Sequence, residues 1–280
     1  MKRSKTVGCG TVERSGLITR GPSAQSLRNE SVCEKFKPMS LPAPISKRVA
    51  IVTGASAGIG AACASVLAER GYSVVVMARS DAIHAAARKI DALAVQGSVT
   101  IVADLVRLVE TAIRAHGRID AVVNGSGHPE SGDLLSISDE LWTEVFTMYF
   151  LSVARMSRLV VPHMVAQGGG AFVNISGNDV YEPDPRWAAA SVIRACMTSY
   201  TKLFAQQHSA KRIRMNCIAP NVVINYDPNQ VREDLRRELP IQRPATYREV
   251  ADVVAFLLSA EASYVNGETV RVDAGASKAV

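Results

Sequence analysis

Residues 48–71 decide the fold of this chain, and they read RVAIVTGASAGIGAACASVLAERG. The apolar and partly β-branched run Arg48–Thr53 predicts a buried strand. Ile59–Arg70 has helical spacing and is followed by Gly71, a residue that commonly ends a helix. The eight residues Thr53–Gly60 join these two elements and contain three glycines. The pattern therefore predicts a strand, a tight glycine-rich turn and a helix.

A glycine-rich turn between a strand and a helix is where a doubly wound sheet binds a dinucleotide. Glycine lets the backbone approach a pyrophosphate, and the N-terminus of the next helix then faces the anion. A tight turn without a ligand is the alternative interpretation of this loop. The residues expected to contact a cofactor here are Gly54, Ser56, Gly58, Ile59 and Gly60.

Strand-like and helix-like segments alternate through the rest of the chain. Further strands are predicted at Ser73–Ala78, Val99–Ala103, Ile119–Asn124, Ala171–Ile175, Ile213–Ile218 and Thr269–Val272. Helices are predicted at 81–95, Leu105–His116, Asp139–Gln167, Trp187–Ala210 and Tyr247–Ala260. Strands separated by helices imply right-handed βαβ units. The predicted fold class is α/β: a single doubly wound Rossmann domain over residues 47–280, with a mostly or wholly parallel sheet covered by helices on both faces.

Composition excludes several classes of protein. Hydrophobic residues make up 48% of the chain and charged residues 21%, which is a globular balance. No apolar run approaches the roughly 20 residues that a membrane helix needs. The five cysteines are too few and too scattered for a disulfide framework, and no His, Cys and Asp cluster has metal-ligand spacing. We expect a cytoplasmic protein that acts on a small molecule, without a metal, a membrane or a nucleic acid as partner.

The positive charge is concentrated at the N-terminus. Residues 1–48 contain ten of the 32 basic residues and three of the 26 acidic residues, so the remainder carries a net charge of −1. This region is also rich in Ser, Gly and Pro and lacks an apolar period. We interpret residues 1–46 as a basic, disordered extension. A nucleic-acid arm or an organelle address is the functional alternative.

Three further positions extend the predicted cofactor site. Arg79 ends the second predicted strand, where an arginine suits the 2′-phosphate of NADP(H) better than NAD(H); a solvated surface arginine is the alternative. Asp104, with Leu105 beside it, follows the third predicted strand, where a carboxylate would accept a hydrogen bond from the adenine amine. Asn124 and Gly125 begin the loop after the fourth strand, which must approach the cofactor closely.

The order of these motifs resembles that of the short-chain dehydrogenase/reductase family over about residues 47–275. Thr53–Gly60 is similar to its T-G-x-x-x-G-x-G loop, and Asn124–Gly127 to its N-N-A-G. Arg214–Pro220 resembles its I-R-V-N-x-x-x-P segment, and Gly267–Gly275 its C-terminal G-x-x-x-x-V-D-G-G. The resemblance implies a Rossmann fold, a nicotinamide cofactor and oxidoreductase ancestry. It also implies a homodimer or homotetramer built on the two long predicted helices.

The residues that the family uses for chemistry are replaced here. Family members use an Asn, a Ser and a Tyr-x-x-x-Lys pair, in which the Tyr exchanges a proton with the substrate oxygen and the Lys lowers its pKa. No tyrosine of this chain has a lysine four residues later. In the family's register Ala190 stands at the Tyr position and Arg194 at the Lys position. Gly177 stands at the Ser position and Tyr149 at the Asn position.

Four side chains are candidates for chemistry in place of the missing acid. Tyr149 would donate to a substrate oxygen or fill the vacated volume. His128 would act as an acid or base, or is an exposed loop histidine. Asp179 would serve as a base, bind an amine or cap its loop. Arg194 would hold ribose hydroxyls, but a guanidinium keeps its proton and is therefore a poor proton relay.

Three hypotheses of function follow from these replacements. The first is hydride transfer from NADPH to an acceptor that needs no acid, such as an imine or an activated alkene, because an iminium nitrogen arrives protonated. The second is a redox-neutral cyclase, lyase or isomerase. The third is a non-catalytic NADP(H)-binding or scaffolding protein. The replacement of all four residues favours specialised over housekeeping metabolism.

Overall fold

Seven parallel strands form the central sheet in a computed structural model that describes residues 47–129, 132–224 and 233–279. They are β1 (Val49–Thr53), β2 (Ser73–Ala78), β3 (Leu93–Gln96), β4 (Ala121–Asn124), β5 (Gly170–Ile175), β6 (Ile213–Pro220) and β7 (Thr269–Val272). Their spatial order is β3-β2-β1-β4-β5-β6-β7. Each neighbouring pair is parallel. This arrangement confirms the predicted fold class. The extension predicted at 1–46 lies outside the described residues.

Helices cover both faces of the sheet. They are α1 (Gly58–Glu69), α2 (Ala82–Arg88), α3 (Val102–His116), α4 (Asp139–Phe146), α5 (Ser152–Ala166), α6 (Ala188–His208), α7 (Glu233–Glu238) and α8 (Tyr247–Leu258). Helices α1, α2 and α8 pack on one face, and α3, α5 and α6 pack on the other. Within the described residues, none of these helices has both the length and the apolar character required to cross a bilayer.

The sequence of strand β1 is continuously apolar because the strand is covered on both faces. All five of its residues are buried. Val49 and Ile51 join the core under α3, α5 and α6, whereas Ala50 and Val52 join the core under α1 and α8. A strand covered on both faces loses the apolar–polar alternation of a half-exposed strand. The glycine-rich turn therefore begins at the buried end of a central strand of the sheet.

The prediction for the third strand is wrong. The strand is β3, at Leu93–Gln96, whereas Val99–Ala103 forms the turn into α3 and its first residues. The β-branched pair Ile101 and Val102 suggested a strand, but their side chains are 52% and 49% exposed. Helix α2 is correspondingly shorter than the predicted 81–95. Exposed β-branched residues beside a real strand account for the error.

The long helix predicted at Asp139–Gln167 is interrupted in the middle. Helix α4 ends at Phe146, a π-helical turn spans Thr147–Leu151, and α5 continues from Ser152. Such turns insert an extra residue and redirect the side chains around them. Here the redirected side chains include Met148 and Tyr149, and both line the cleft described next.

Candidate active site

A cleft of about 1530 Å³ runs along the carboxyl ends of the strands. Its walls come from the turns after the first six strands, β1 to β6, with contributions from α4, the π-helical turn and α6. This is the edge at which open α/β sheets bind ligands. One end is formed mainly by glycine-rich backbone, which we call the nucleotide half. The other contains Tyr149, Asp179 and Arg194, and we call it the catalytic half.

Backbone packing forbids side chains at the centre of the nucleotide half. A Cβ atom on Gly60 would lie 2.2 Å from the Gly54 carbonyl oxygen. Gly54 has a φ of +65°, and a Cβ there would lie 2.9 Å from the Gly125 carbonyl carbon. The turns after β1 and β4 therefore touch through their backbones, which leaves the cleft above them open to a ligand.

Thr53 fastens these two turns together, a role that the motif alone did not reveal. Its hydroxyl donates to the Gly125 carbonyl at 2.7 Å and accepts from the Gly125 N–H at 2.9 Å. The side chain is buried. A reciprocal pair of this kind satisfies both backbone groups of Gly125 and holds the loop in register.

The N-terminus of α1 is open toward the cleft. Its N-cap is Ala57, whose side chain makes no capping bond, and its first turn contains no acidic residue. The first backbone N–H groups of a helix have no partner within the helix and carry partial positive charge. Gly58, Ile59 and Gly60 line the cleft at this point, beside Ser56. These groups fit a pyrophosphate.

Arg79 lies at the outer edge of the nucleotide half. Its side chain is exposed, follows β2 and lines the cleft together with Ser80. One guanidinium nitrogen lies 3.3 Å from where a Cβ of Gly127 would stand. The Arg79 carbonyl accepts from the Gln96 amide at 3.1 Å, which ties the ends of β2 and β3 together. The guanidinium is therefore exposed at the wall of the cleft.

Asp104 and Leu105 lie away from the cleft, contrary to their predicted position. The Asp104 carboxylate accepts from the Ser98 N–H at 2.8 Å and pairs with Arg107 at 2.9 Å. Leu105 is buried in the core. The cause is the early end of β3, which puts Gly97–Thr100 at the cleft instead. Asp104 shapes that turn from behind.

Asn124 also differs from the expectation for its side chain. Its amide donates to Asn174 Oδ1 at 2.8 Å, and the Asn174 amide donates to Thr201 at 3.0 Å. All three residues are buried beneath the cleft. Gly125, the next residue, lines it. The Asn124 side chain thus braces β4 against β5, and only the backbone that follows it reaches the cleft.

The catalytic half is built around a buried ion pair. Arg194 on α6 donates to Asp179 Oδ2 at 2.8 Å, and the two side chains are only 11% and 8% exposed. Arg194 also donates to the Tyr149 hydroxyl at 3.1 Å, and its guanidinium lies 4.7 Å from the centre of the Tyr149 ring. The Tyr149 hydroxyl in turn donates to the Gly127 carbonyl at 3.2 Å. Three of the four catalytic candidates therefore form one connected group.

The protonation of this group follows from its surroundings. Burial raises the pKa of the Tyr149 phenol above its ordinary value of 10, while the Arg194 charge opposes that rise. Tyr149 is therefore a neutral phenol near pH 7. Desolvation lowers the pKa of His128 below 6.5, and the charge of Arg194 lowers it further. His128 is therefore mainly a neutral imidazole near pH 7.

The ion pair and Tyr149 account for the small size of the residues at positions 177 and 190. A Cβ atom on Gly177 would lie 2.6 Å from both Arg194 Nη1 and Asp179 Oδ1. Ala190 is 2% exposed and packs in a cluster with Tyr149, Val145 and Ile193. The ion pair thus takes the space of a side chain at 177, and the small residue at 190 shares one buried cluster with Tyr149.

The catalytic half also contains the unsatisfied polar atoms of the site. Among the described side chains, three buried polar atoms have no hydrogen-bond partner: Ser176 Oγ, Asp179 Oδ1 and Arg194 Nε. All three residues line the cleft. Buried polar groups are nearly always paired in folded proteins, so this cluster marks a place where an ordered water or a ligand would complete the bonding.

His128 lies at the rim of the catalytic half, outside the connected group. Its ring centre is 5.9 Å from that of Trp187, which is 41% exposed. Both residues line the cleft. Asn221 and Tyr247 line it as well, and neither was a candidate site residue in the sequence. Over the described residues, no group of three or more His, Cys, Asp or Glu side chains is arranged to hold a metal ion.

Comparison with known proteins agrees with this geometry. A sequence profile of the family described as "Enoyl-(Acyl carrier protein) reductase" matches residues 54–277. The rabbit (Oryctolagus cuniculus) protein "Dehydrogenase/reductase SDR family member 4" is 34% identical over 246 residues, which is 83% of this chain and 95% of that protein.

Two solved structures share the fold over most of the chain. L-sorbose reductase from Gluconobacter frateurii, complexed with NADPH and L-sorbose, has a TM-score of 0.78 at 28% identity, and the match covers 84% of this chain and 98% of that one. YwfH, an NADPH-dependent reductase involved in bacilysin biosynthesis, has a TM-score of 0.78 at 26% identity over 84% of this chain and 100% of that one. The chain belongs to the short-chain dehydrogenase/reductase family of oxidoreductases.

Proposed function

We propose that this protein is an NADP(H)-dependent oxidoreductase that reduces a small molecule whose reacting centre is already activated, an imine or an activated alkene. The carrying observation is that Ala190, which the resemblance puts at the family's tyrosine position, is buried in one cluster with Tyr149 and has no proton to give. General acid catalysis contributes about 10² to 10⁴ in rate. An iminium that arrives protonated needs hydride alone, and an activated alkene leaves a delocalised anion that solvent protonates, so neither needs that contribution from a side chain.

The residues of the nucleotide half fit an NADP(H) molecule. The uncapped start of α1 and the glycine backbone at Gly54 and Gly60 would hold the pyrophosphate, and Arg79 would bind the 2′-phosphate. The cofactor, when bound, supplies or accepts hydride.

In the catalytic half the chain's own groups orient the substrate. Asp179 holds Arg194, and Arg194 orients the Tyr149 hydroxyl. Because Tyr149 already donates to the Gly127 carbonyl, its proton is not free for a substrate in this arrangement. The unpaired hydroxyl of Ser176 and the unpaired oxygen of Asp179 are the groups open to a substrate N–H or oxygen. They suit recognition of an iminium N–H better than protonation of an alkoxide.

The test begins with calorimetric titration of the full chain with NADPH, NADP⁺ and NADH. We expect micromolar or tighter binding of the phosphorylated forms. NADPH consumption is then measured with cyclic imines, activated alkenes and simple ketones. The proposal predicts turnover of the first two classes and little with ketones. Equal rates with ketones would show that an acid is present after all, and binding without any consumption would favour the redox-neutral or non-catalytic alternatives.

Tyr149→Phe sharpens this test because it removes only the hydroxyl. We expect imine reduction to survive, since no proton from Tyr149 is required. A loss of imine reduction with unchanged NADPH affinity would make Tyr149 the acid and overturn the central step of the proposal.

We also propose a homodimer or homotetramer. Val192 and Leu203 on α6 are 49% and 57% exposed, which leaves apolar surface on a helix that the family resemblance implicates in assembly. Light scattering of the wild type and of Leu203→Glu tests this. A monomeric wild type contradicts it, and a smaller species for the variant alone supports it.

A further inference from the structure

The last residues of the chain fold over the loop that follows β5. We call residues 276–279 the C-terminal tail and residues 177–182 the active-site turn. The turn contains Asp179, the partner of Arg194, and several of its residues line the cleft. The two segments are almost 100 residues apart in sequence, and nothing in the sequence motifs links them.

The first link is between two side chains. The Ser277 hydroxyl donates to Asn178 Oδ1 at 2.7 Å. Ser277 is itself held by Asp273, whose carboxylate accepts from the N–H groups of Ser277 and Gly275, both at 3.0 Å. Asp273 therefore folds the chain back so that the tail meets the turn beside Asp179.

The second link uses one carboxylate and two backbone groups. Glu182 Oε1 accepts from the Lys278 N–H at 2.5 Å and from the Ala279 N–H at 2.9 Å. Hydrogen bonds to a charged acceptor are stronger than those between neutral groups. The tail is thus hydrogen-bonded to the last residue of the active-site turn. Glu182 also lines the cleft.

The third link fixes the middle of the turn to β7. The Tyr181 hydroxyl donates to the Thr269 carbonyl at 2.5 Å. The Arg271 guanidinium covers the Tyr181 ring, 4.5 Å from its centre, and also donates to the Ala279 carbonyl. Arg271 therefore touches both the turn and the tail.

These links hold residues on both sides of Asp179 in the sequence. The turn itself contains only a three-residue 3₁₀ helix, Asn178–Val180, and such short segments have weak hydrogen-bond geometry of their own. Its position must come from its contacts. Because Asp179 holds Arg194 and Arg194 orients Tyr149, a shift of the turn moves the whole connected group.

We propose that the C-terminal tail, through Asn178 and Glu182, positions the Asp179–Arg194 pair, so that the catalytic half is assembled only when the tail is docked. Ser277 and Glu182 are positioning residues in this proposal. Its catalytic consequence rests on the proposed function, but its structural core does not. A misplacement of about 1 Å at a reacting centre costs on the order of 100-fold in rate.

Hydrogen exchange of the full chain tests the structural core directly. In Glu182→Ala both tail bonds are lost, and we expect amides of residues 178–187 to exchange roughly tenfold faster. Glu182→Gln keeps the side-chain oxygen that accepts both bonds and should restore most of the protection. Amides of α1 should be unchanged in both variants. Glu110→Ala, on the exposed surface of α3, is the matched control.

The proposal is overturned if Glu182→Ala exchanges like wild type over residues 178–187, or if Glu182→Gln fails to recover protection. Ser277→Ala removes the bond to Asn178 at the other end of the turn, and hydrogen exchange over residues 178–187 is measured in the same way. Ser263→Ala is its exposed control. Because exchange needs no substrate, these outcomes stand even if no compound is turned over.

A kinetic reading is added for any substrate that the screen finds. We expect Glu182→Ala to lower kcat roughly tenfold while the NADPH dissociation constant stays within a factor of two, since the nucleotide half is untouched. Weaker NADPH binding with an unchanged kcat would contradict a positioning role. Absence of turnover in the wild type refutes the proposed function and leaves the tail to be judged by exchange.

Discussion

The two halves of the cleft are built from different parts of the chain. The nucleotide half is backbone against backbone, with glycines at points where a Cβ would collide with carbonyl groups. The catalytic half is side chain against side chain, centred on a buried ion pair and a phenol. Backbone contacts admit few substitutions, whereas side-chain groups can be exchanged as sets. One half can therefore keep its ligand while the other changes its chemistry.

Gly60→Ala should give the largest effect. Its new Cβ meets the Gly54 carbonyl at 2.2 Å, so the turn must move. Overpacking of this kind costs about 1–3 kcal/mol of folding free energy, and we expect NADPH binding to fall by on the order of 100-fold. Calorimetry and thermal melting measure both. Gly132→Ala, where a Cβ makes only ordinary contacts, is the control, and equal effects from the two would refute a backbone-determined site.

Asp179→Ala should damage the other half without disturbing the first. It leaves the Arg194 guanidinium buried without its carboxylate, which costs about 3–5 kcal/mol. We expect a large fall in the free energy of unfolding by urea, with NADPH affinity nearly retained at temperatures where the variant is folded. Asp184→Ala breaks the neighbouring pair with the exposed Arg186 and should change stability little. Similar losses in both variants would mean that burial of the pair is irrelevant.

Arg79→Ala tests whether the nucleotide half distinguishes the two cofactors. Loss of a hydrogen-bonded charge contact weakens binding by roughly 10- to 100-fold. We expect that loss for NADPH and almost none for NADH. Arg88→Ala, an exposed arginine on α2, is the control. If NADH weakens as much as NADPH, Arg79 does not contact a 2′-phosphate.

Gly177→Ser should show that the ion pair excludes a side chain. The added Cβ meets Arg194 and Asp179 at 2.6 Å, and we expect a destabilisation of about 1–2 kcal/mol in urea unfolding. In an Arg194→Lys background the clash with Nη1 is absent, so the same substitution should cost less. Equal costs in the two backgrounds would leave residues 177 and 194 uncoupled.

The smallest expected effect concerns pH. Because the pKa of His128 is lowered in the folded protein, protonation favours the unfolded state. The stability associated with the neutral imidazole is present above its unfolded pKa of about 6.5 and is lost as pH falls through the lower folded pKa. His128→Gln should flatten the decline in unfolding free energy below pH 6.5. His84→Gln serves as the comparison, and an identical slope in wild type and His128→Gln would contradict the prediction.

Much of the fold was predictable because buried strands and glycine turns leave local signals. The bounds of β2 and β7 agree with the sequence prediction, and the loop Thr53–Gly60 lies where its motif placed it. The error at β3 arose because Ile101 and Val102 are β-branched yet exposed. Burial is a tertiary property, and no local pattern reports it. The misplacement of Asp104 followed from that single error.

The catalytic half was predictable only in part, because its members come from distant segments. The family register pointed to Tyr149 and to Arg194, and Asp179 was a separate candidate. Their connection depends on the π-helical turn at Thr147–Leu151, which redirects Tyr149, and on the folded tail that meets the active-site turn. Neither feature has a sequence signal of its own. Thr53 was similarly hidden, because its hydroxyl acts on a residue 72 positions away.

The contact between residue 177 and the ion pair has a consequence for anyone who wishes to introduce the family's serine at 177 and its lysine at 194. A serine at 177 and an arginine at 194 compete for the same few cubic ångströms, so the order of substitutions matters. If residue 177 is replaced first, the new side chain collides with the ion pair and the protein is strained. If Asp179 is replaced first, the Arg194 guanidinium stays buried without its carboxylate. A path that begins with Arg194→Lys keeps a cation beside Asp179 and removes the contact with Nη1, so that only the contact with Asp179 Oδ1 opposes a serine at 177. In any other order, the first single substitution would lower the stability of the folded protein.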